Sequence, residues 1–481
     1  MTVSSFTEPS SLPAPDEVRP TGLPGAPRHA SPHTGSATLA VTVAATFLVL
    51  LNYNAPMTVL PAMAASLGTG VSGQAWLLSG IALGLSALLL VAGSLADDYG
   101  RKRVFVTGVL TLALTTALAA VTTGTLAYTL ARVAQGAASA AVLASSLGLL
   151  AHAFPAGPGR VRATTLWGAS ISGGIAVGPL VSSALEPLSW RACYVLYALA
   201  ALALGTVAAR GLQESRAPRA GRPDLLGAVT LGLALSALFA ALTIGRDGWL
   251  RAPVAVLLGA ALVLGAAFVL TERRSAAPML DLGLFRRPLF LAATAGALFT
   301  GLAVIGFFSY LPTVLQITLG LSPLGTAWLV ALWSGAALAA SMLTGRLATR
   351  LGARHQLALG FLFSAAGLAA LVGAVDESWV RLLPGLVVNG VGSGLLNAAL
   401  PRLAVESVPA ERAAMGSGAN QTARYIGSTT GVALTVALAT AHGGGDPAKA
   451  LAHGTDAALL VAAGLALAGA LAALVLRERA A

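Results

Sequence analysis

From about residue 38 to residue 476 the sequence is a succession of apolar runs, each about 20 residues long, divided by short polar turns. A helix rises about 1.5 Å per residue, so runs of this length match the roughly 30 Å hydrocarbon core of a bilayer. Within lipid every backbone N–H and C=O must be paired internally, which leaves only helices and closed barrels. Barrel strands alternate apolar and polar residues, whereas these runs are continuous. The runs fall at 38–61, 73–95, 104–122, 126–152, 164–185, 191–210, 224–244, 252–271, 290–316, 324–343, 355–374, 379–402, 414–440 and 455–476. The expectation is an all-α polytopic membrane protein with fourteen transmembrane helices.

Composition excludes the competing classes. Of 481 residues, 56% are hydrophobic and only 10% charged, against about 25% charged in soluble proteins. So few charges cannot cover the surface of a soluble enzyme, and the hydrophobicity is too high for disorder. Residues 1–36, rich in Pro, Ser and Thr, contain no apolar core of a signal peptide and are expected to form a disordered cytoplasmic tail. Cys193 is the single cysteine, so an intrachain disulfide or a Cys-cluster metal site is impossible.

The net charge of +11 invites a nucleic-acid reading, but its distribution favours topology. With the N-terminus inside, 22 of the 29 Lys and Arg residues fall in inner segments, five in outer segments, and two, Arg132 and Arg424, inside spans. Basic residues concentrate in cytoplasmic loops of membrane proteins, so both ends are expected in the cytoplasm of a bacterial cell and no nucleic-acid partner is implied. The expected organisation is a tail over 1–36, a six-helix bundle over 37–211, a cytoplasmic linker over 212–223, two inserted helices over 224–271, a cytoplasmic loop over 272–289, a second six-helix bundle over 290–476, and a tail over 477–481.

Two loops support a duplicated architecture. Gly93-Ser-Leu-Ala-Asp97-Asp-Tyr-Gly100-Arg101-Lys-Arg103 follows the second run, and Gly345-Arg-Leu-Ala-Thr-Arg-Leu-Gly352-Ala-Arg354 follows the tenth. Parallel six-span repeats are one architecture of secondary transporters, with the substrate site between the halves near the midplane.

These residues resemble the major facilitator superfamily. Gly93 to Arg103 is similar to its hallmark loop, Arg132-Val-Ala-Gln135-Gly136 to its second motif, and Gly174-x-x-x-Gly178-Pro179 to the motif of its antiporters. Tyr310-Leu-Pro312-Thr-Val-Leu-Gln316, Gly320-Leu-Ser-Pro323, Pro278-Met-Leu-Asp281-Leu-x-Leu-Phe285 and Ser417-Gly-Ala-Asn420-Gln-Thr-Ala-Arg424-Tyr-Ile-Gly427 resemble the fourteen-span drug:proton antiporter branch. The resemblance implies the major facilitator fold and multidrug efflux by proton antiport. Three positions depart from the branch: Asn52 stands where Asp is usual, Ser182-Ser183 where the antiporter motif has Gly-Gly, and Asp98 where Arg is common.

Each motif has a physical reading. Asp97, at the inner end of the second run, can pair with Arg101 or accept from a neighbouring helix N-terminus; with Gly93 and Gly100 it is expected to form a conformational latch between the halves. Arg132 and Arg424 are costly inside lipid and call for partners; with Gln135, three residues from Arg132, they are expected to form an intramembrane charge network. Snorkelling to the surface is the alternative for Arg132, and attraction of an anionic substrate or pairing with Glu406 are alternatives for Arg424. Gly174, Gly178 and Pro179 permit close packing and a kink. Asn52, Asn54, Tyr310, Gln316, Asn389, Asn397, Asn420 and Gln421 are polar positions in or beside apolar runs, expected to line a cavity or to join helices.

No carboxylate lies at the centre of any run. Proton coupling, implied by the resemblance, would then fall to interfacial acids: Asp97, Asp224, Glu406 or Asp456. Asp224 also reads as a helix N-cap. No phosphate-binding loop of the G-x-x-x-x-G-K-(S/T) type is present, so transport is expected to run on a gradient without a cofactor or metal. The expected partners are a small-molecule substrate and membrane lipid, for a monomer. Export of small amphipathic organic compounds is the leading function. Uniport or import of a metabolite without proton coupling is the alternative, a non-transporting sensor or assembly partner is a third, and a membrane enzyme finds no catalytic set.

Overall fold

The computed structural model of the chain describes residues 2, 32–216, 224–245, 248–275, 278–347, 352–441 and 446–476. Among them every regular element is helical. The tail at 3–31, most of the linker and the segment 477–481 lie outside the described residues, as do 348–351 of the second repeated loop.

The first half comprises α1 (Pro32–Asn54), α2 (Pro56–Leu67), α3 (Val71–Tyr99), α4 (Arg101–Val121), α5 (Thr125–Ala153), α6 (Pro158–Leu185) and α7 (Trp190–Gly211). The first apolar run breaks at Ala55, where Pro56 cannot donate to the preceding turn. Gly100 separates α3 from α4 with φ of 126°, a backbone conformation that side chains resist. Phe105, Trp167 and Tyr194 sit in the hydrophobic core these helices share.

The inserted pair is α8 (Leu225–Ile244) and α9 (Ala252–Arg274). The second half follows: α10 (Pro288–Phe299), a π-helical segment (Thr300–Ile305), α11 (Gly306–Thr318), α12 (Pro323–Leu347), α13 (Ala353–Ala370), α14 (Trp379–Glu406), α15 (Ala413–Ala439) and α16 (Pro447–Val475). Its core gathers Phe307, Phe361 and Leu396. A smaller cluster of Phe268, Met279, Leu280 and Leu284 seats the inserted pair against Leu90 of α3 and Met415 of α15.

Twelve helices are long and apolar enough to cross a membrane, α10 to α11 counting as one, so fourteen are not met by that measure. The two expected spans outside the set are α13, which opens on Arg354-His355-Gln356, and α15, which carries Asn420, Gln421 and Arg424. The reason is packing. In the most apolar span, α9, only 11% of the most hydrophobic stretch is buried, whereas in the more polar α5 the figure is 78%. A helix wrapped by protein meets little lipid and can carry polar groups. α15 is the extreme case, with 20 of its 27 residues buried.

Candidate functional site

The halves are tied at the end where α3 meets α4. Asp97 is fully buried and its carboxylate takes the Arg101 guanidinium at 2.8 Å. The same carboxylate accepts from the backbone N–H of Met415 at 2.8 Å and of Ala414 at 3.3 Å. It therefore caps α15 across the gap between halves, where the orphan N–H groups and the positive end of the helix dipole favour an anion. Arg101 reaches over the same gap to the carbonyls of Glu411, at 2.8 Å, and Ala410, at 3.2 Å. Asp98 takes Arg412 at 2.7 Å. Gly93 permits the approach: a Cβ there would lie 2.4 Å from the Ala414 carbonyl oxygen.

Sequence reasoning missed Glu214. Its carboxylate accepts from the N–H groups of Lys102 and Arg103 and so caps α4 from 112 and 111 residues away. It also stands 2.7 Å from a Cβ built on Gly100. An acid next to a helix start is a signal only when the two are adjacent in the chain, which these are not.

Two turns into α5, Arg132 is fully buried, which settles against snorkelling. Pro56 leaves the carbonyl of Asn52 without its helical donor, and Arg132 Nη1 supplies one at 3.0 Å. Nη1 also donates to Asn52 Oδ1 and Gln135 Oε1, both at 2.8 Å, while Nη2 donates to the Tyr53 carbonyl at 3.0 Å. Asn52 in turn donates to Thr116 Oγ1 at 2.7 Å. The group is a set of neutral acceptors that splices the α1 break to α5 and α4.

Arg424 belongs to a different set. It donates to Asn397 Oδ1 at 2.9 Å, and Asn397 donates to Ser172 of α6 at 2.9 Å. That relay crosses from the second half to the first. Glu406 is not its partner; that carboxylate takes Arg402 at 2.8 Å on α14 itself. Arg424 lines a cavity between the halves, walled by Leu50, Tyr53, Asn54, Met57, Ile171, Ile175, Ile305, Phe308, Ser309, Val330, Trp333, Gln421 and Tyr425. Ile305 and Phe308 sit at and shortly after the π-helical segment, a local widening of the helix common at functional positions. Gly301 of that segment lets α15 in so close that a Cβ would meet the Arg424 carbonyl oxygen at 2.0 Å.

The eight polar candidates divide. Asn54 and Gln421 line the cavity. Asn389 receives the Trp333 indole N–H at 2.8 Å and donates to the Ser364 carbonyl, fixing a cavity ring from behind. Asn420 donates to the Ala293 carbonyl of α10, and Gln316 to Thr326 of α12 at 3.3 Å. Tyr310 packs on the second-half core. Gly174 and Gly178 press α6 onto α1: Cβ atoms there would stand 2.6 Å from Leu50 Cβ and 3.0 Å from the Leu51 carbonyl oxygen. The Pro179 carbonyl accepts from Thr58 of α2 at 3.2 Å.

Among the remaining acids, Asp456 Oδ1 accepts from the Gly373 N–H at 2.8 Å at the opposite end. Asp224 caps α8 through Gly227 N–H at 2.7 Å, as its position suggests. Its other oxygen, Oδ2, is buried without a partner, and so is Glu272 Oε1 of α9. Both flank one point: a Cβ on Gly227 would lie 3.0 Å from Asp224 Oδ2 and 2.9 Å from Glu272 Oε1. Glu272, with 3% of its surface exposed, was not singled out by sequence because it closes an apolar run next to Arg273 and Arg274. Among the described residues no cluster of three or more His, Cys, Asp or Glu is placed to hold a metal ion.

Two helical halves closed at one end around a central cavity define a membrane transporter of the alternating-access kind. The chain belongs to the major facilitator superfamily, whose family model matches residues 42–431 and again residues 293–481. It is 34% identical over 400 residues to the multidrug resistance protein Stp of Mycobacterium tuberculosis, covering 82% of this chain and 74% of that one. It is 31% identical over 410 residues to the multidrug efflux pump LfrA of Mycolicibacterium smegmatis, covering 84% and 80%. The crystal structure of the human organic anion transporter MFSD10 superposes with a TM-score of 0.67 at 16% identity, over 92% of this chain and all of that chain, a likeness of fold.

Proposed function

We propose that this protein exports small amphipathic organic compounds from a bacterial cell by proton antiport. The observation that carries the reading is the cavity between the halves, with aromatic walls and few polar groups, together with the latch that ties the halves where α3 meets α4. Such a mixture of apolar wall and sparse polar anchors suits small organic ligands. The relatives named for multidrug resistance and efflux support the direction.

In this reading α13 and α15 also cross the membrane, which makes two six-helix bundles and an inserted pair, fourteen spans in all. Both termini lie in the cytoplasm, in line with the distribution of basic residues. Reporter fusions after residues 215 and 479 both report cytoplasm; an external signal from either removes the topology.

Gly93, Asp97, Gly100 and Arg101 act as the latch, since the Asp97 cap on α15 exists only while the halves are together. For the proton, the Asp224–Glu272 pair is the best-suited of the acids, because each presents a buried oxygen with no partner and one hydrogen shared between them would satisfy both. Asp97 and Glu406 are already engaged by arginines.

The test is dye and antibiotic efflux from cells with and without a protonophore, then transport in proteoliposomes under an imposed pH gradient. Uphill transport driven by the gradient is expected, and its loss in Asp224→Asn and Glu272→Gln. Transport indifferent to the gradient would favour the uncoupled carrier, a reading that Asn52 and the absence of a carboxylate from the cavity wall make specific.

A further inference from the structure

The cavity has a sign. Among its fourteen wall residues Arg424 is the one charged side chain, and no Asp or Glu stands with it. Arg424 is buried, and Asn397, a neutral amide, is the acceptor it meets. An Arg carries five N–H donors, so one bond to an amide leaves both charge and hydrogen-bonding capacity for something else. Gln421, one turn earlier on α15, faces the same space and adds amide donors beside the guanidinium. The rings are arranged in two groups. Phe308 and Trp333 stack with centroids 4.2 Å apart and planes 12° from parallel, and Tyr53 and Tyr425 stand 5.9 Å apart.

We propose that the substrates are planar aromatic compounds bearing an anionic oxygen, a carboxylate or an acidic phenol. The oxygen docks on Arg424 and Gln421, and the ring system lies between the Tyr53–Tyr425 and Phe308–Trp333 walls. A buried guanidinium attracts an anion strongly when no carboxylate is already paired with it, and it repels an organic cation for the same reason. The chain is thereby distinguished from a carrier whose cavity acid selects lipophilic cations. The inference rests on the export reading only for the direction of transport; the ligand class follows from the cavity wall.

The experiment pairs two xanthene dyes of opposite charge, fluorescein and pyronin Y. Binding to the purified full-length protein in detergent is followed by quenching of tryptophan fluorescence, and the difference from Trp333→Phe gives the part due to Trp333 among the seven tryptophans. Fluorescein is expected to bind at least about tenfold more tightly than pyronin Y. Arg424→Gln is expected to abolish that preference, and Gln421→Leu, which leaves the helix-spanning bond to Asn397 in place, to weaken fluorescein by several-fold with pyronin Y unchanged. Equal or tighter binding of pyronin Y to the unmodified protein, or a preference that survives in both variants, overturns the proposal. Efflux from proteoliposomes separates the two readings. If fluorescein binds selectively but neither dye moves, export fails and the ligand class stands. If both dyes are exported equally, export stands and the ligand class falls.

Discussion

Arg132 shows how a single residue can be costly and still structural. A guanidinium buried among helices is costly unless most of its donors are met, and three of its four hydrogen bonds run to the α1 break, to the Asn52 side chain, the Asn52 carbonyl and the Tyr53 carbonyl, while the fourth goes to Gln135 and Nε stays unpartnered. The break exists because Pro56 withholds a donor. Replacing Arg132 with Met keeps much of the length and removes those bonds, leaving the Asn52 carbonyl only the long 3.4 Å contact from the Ala55 N–H, at a cost of about 1–3 kcal/mol. The melting temperature of Arg132→Met in detergent should fall by several degrees and transport should stop. An unchanged melting temperature with transport lost would reassign Arg132 from holding the α1 break to acting on the substrate. Asn52 belongs to the same account. Its amide donates to Thr116 Oγ1 and accepts from Arg132, so both ends of the side chain are engaged.

Between elements, glycine sets how close two helices come. α3 and α5 touch backbone to backbone, since a Cβ on Gly84 would stand 1.9 Å from the Val133 carbonyl oxygen and one on Gly136 2.1 Å from that of Ile81. The π-helical segment meets α15 in the same way at Gly301. Gly335 of α12 has nothing within 4 Å of where its Cβ would be. One substitution should therefore have opposite effects at two sites. Gly301→Ala must push α15 and Arg424 aside and should lower both thermal stability and transport. Gly335→Ala removes only the conformational freedom of a helical glycine and should be neutral or stabilise by about 0.5–1 kcal/mol. Melting curves of the two variants side by side check this, and equal destabilisation would show that the close approach at Gly301 is not what fixes α15.

For the whole molecule, one carboxylate joins two halves more than 300 residues apart in sequence. Asp97→Asn removes the charge that faces both Arg101 and the positive end of α15, while keeping the shape. The tied end should open more often. Ser417, fully buried on α15 and bonded to the Leu143 carbonyl of α5, reports this. The one native thiol, Cys193, is buried, so a Cys placed at 417 gives a nearly clean labelling signal. Maleimide labelling of Ser417→Cys should rise by about tenfold when Asp97→Asn is added, the equivalent of about 1.4 kcal/mol in the opening equilibrium. Unchanged labelling would reduce the Asp97 contact to a local helix cap.

Where the helices run is legible along the chain, because apolar length is a property of each segment, and Asp97 stands four residues from Arg101, a spacing that brings them to one helix face. Arg132, Gln135, Arg424 and the Gly174–Pro179 packing face are likewise marked as positions that had to find neighbours. Which neighbours they found was set by the packed fold. It separated Arg424 from Arg132, gave Glu406 to Arg402, sent Asn389 and Asn420 to join helices and left Asn54 and Gln421 on the cavity wall. It set Glu272 against Asp224, and it allowed α15 to be too polar for lipid by wrapping it in other helices. The division has one cause: hydropathy and helical spacing act over a turn or a span, whereas a hydrogen bond such as Met415 N–H to Asp97, 318 residues apart, exists only once two separate bundles have packed.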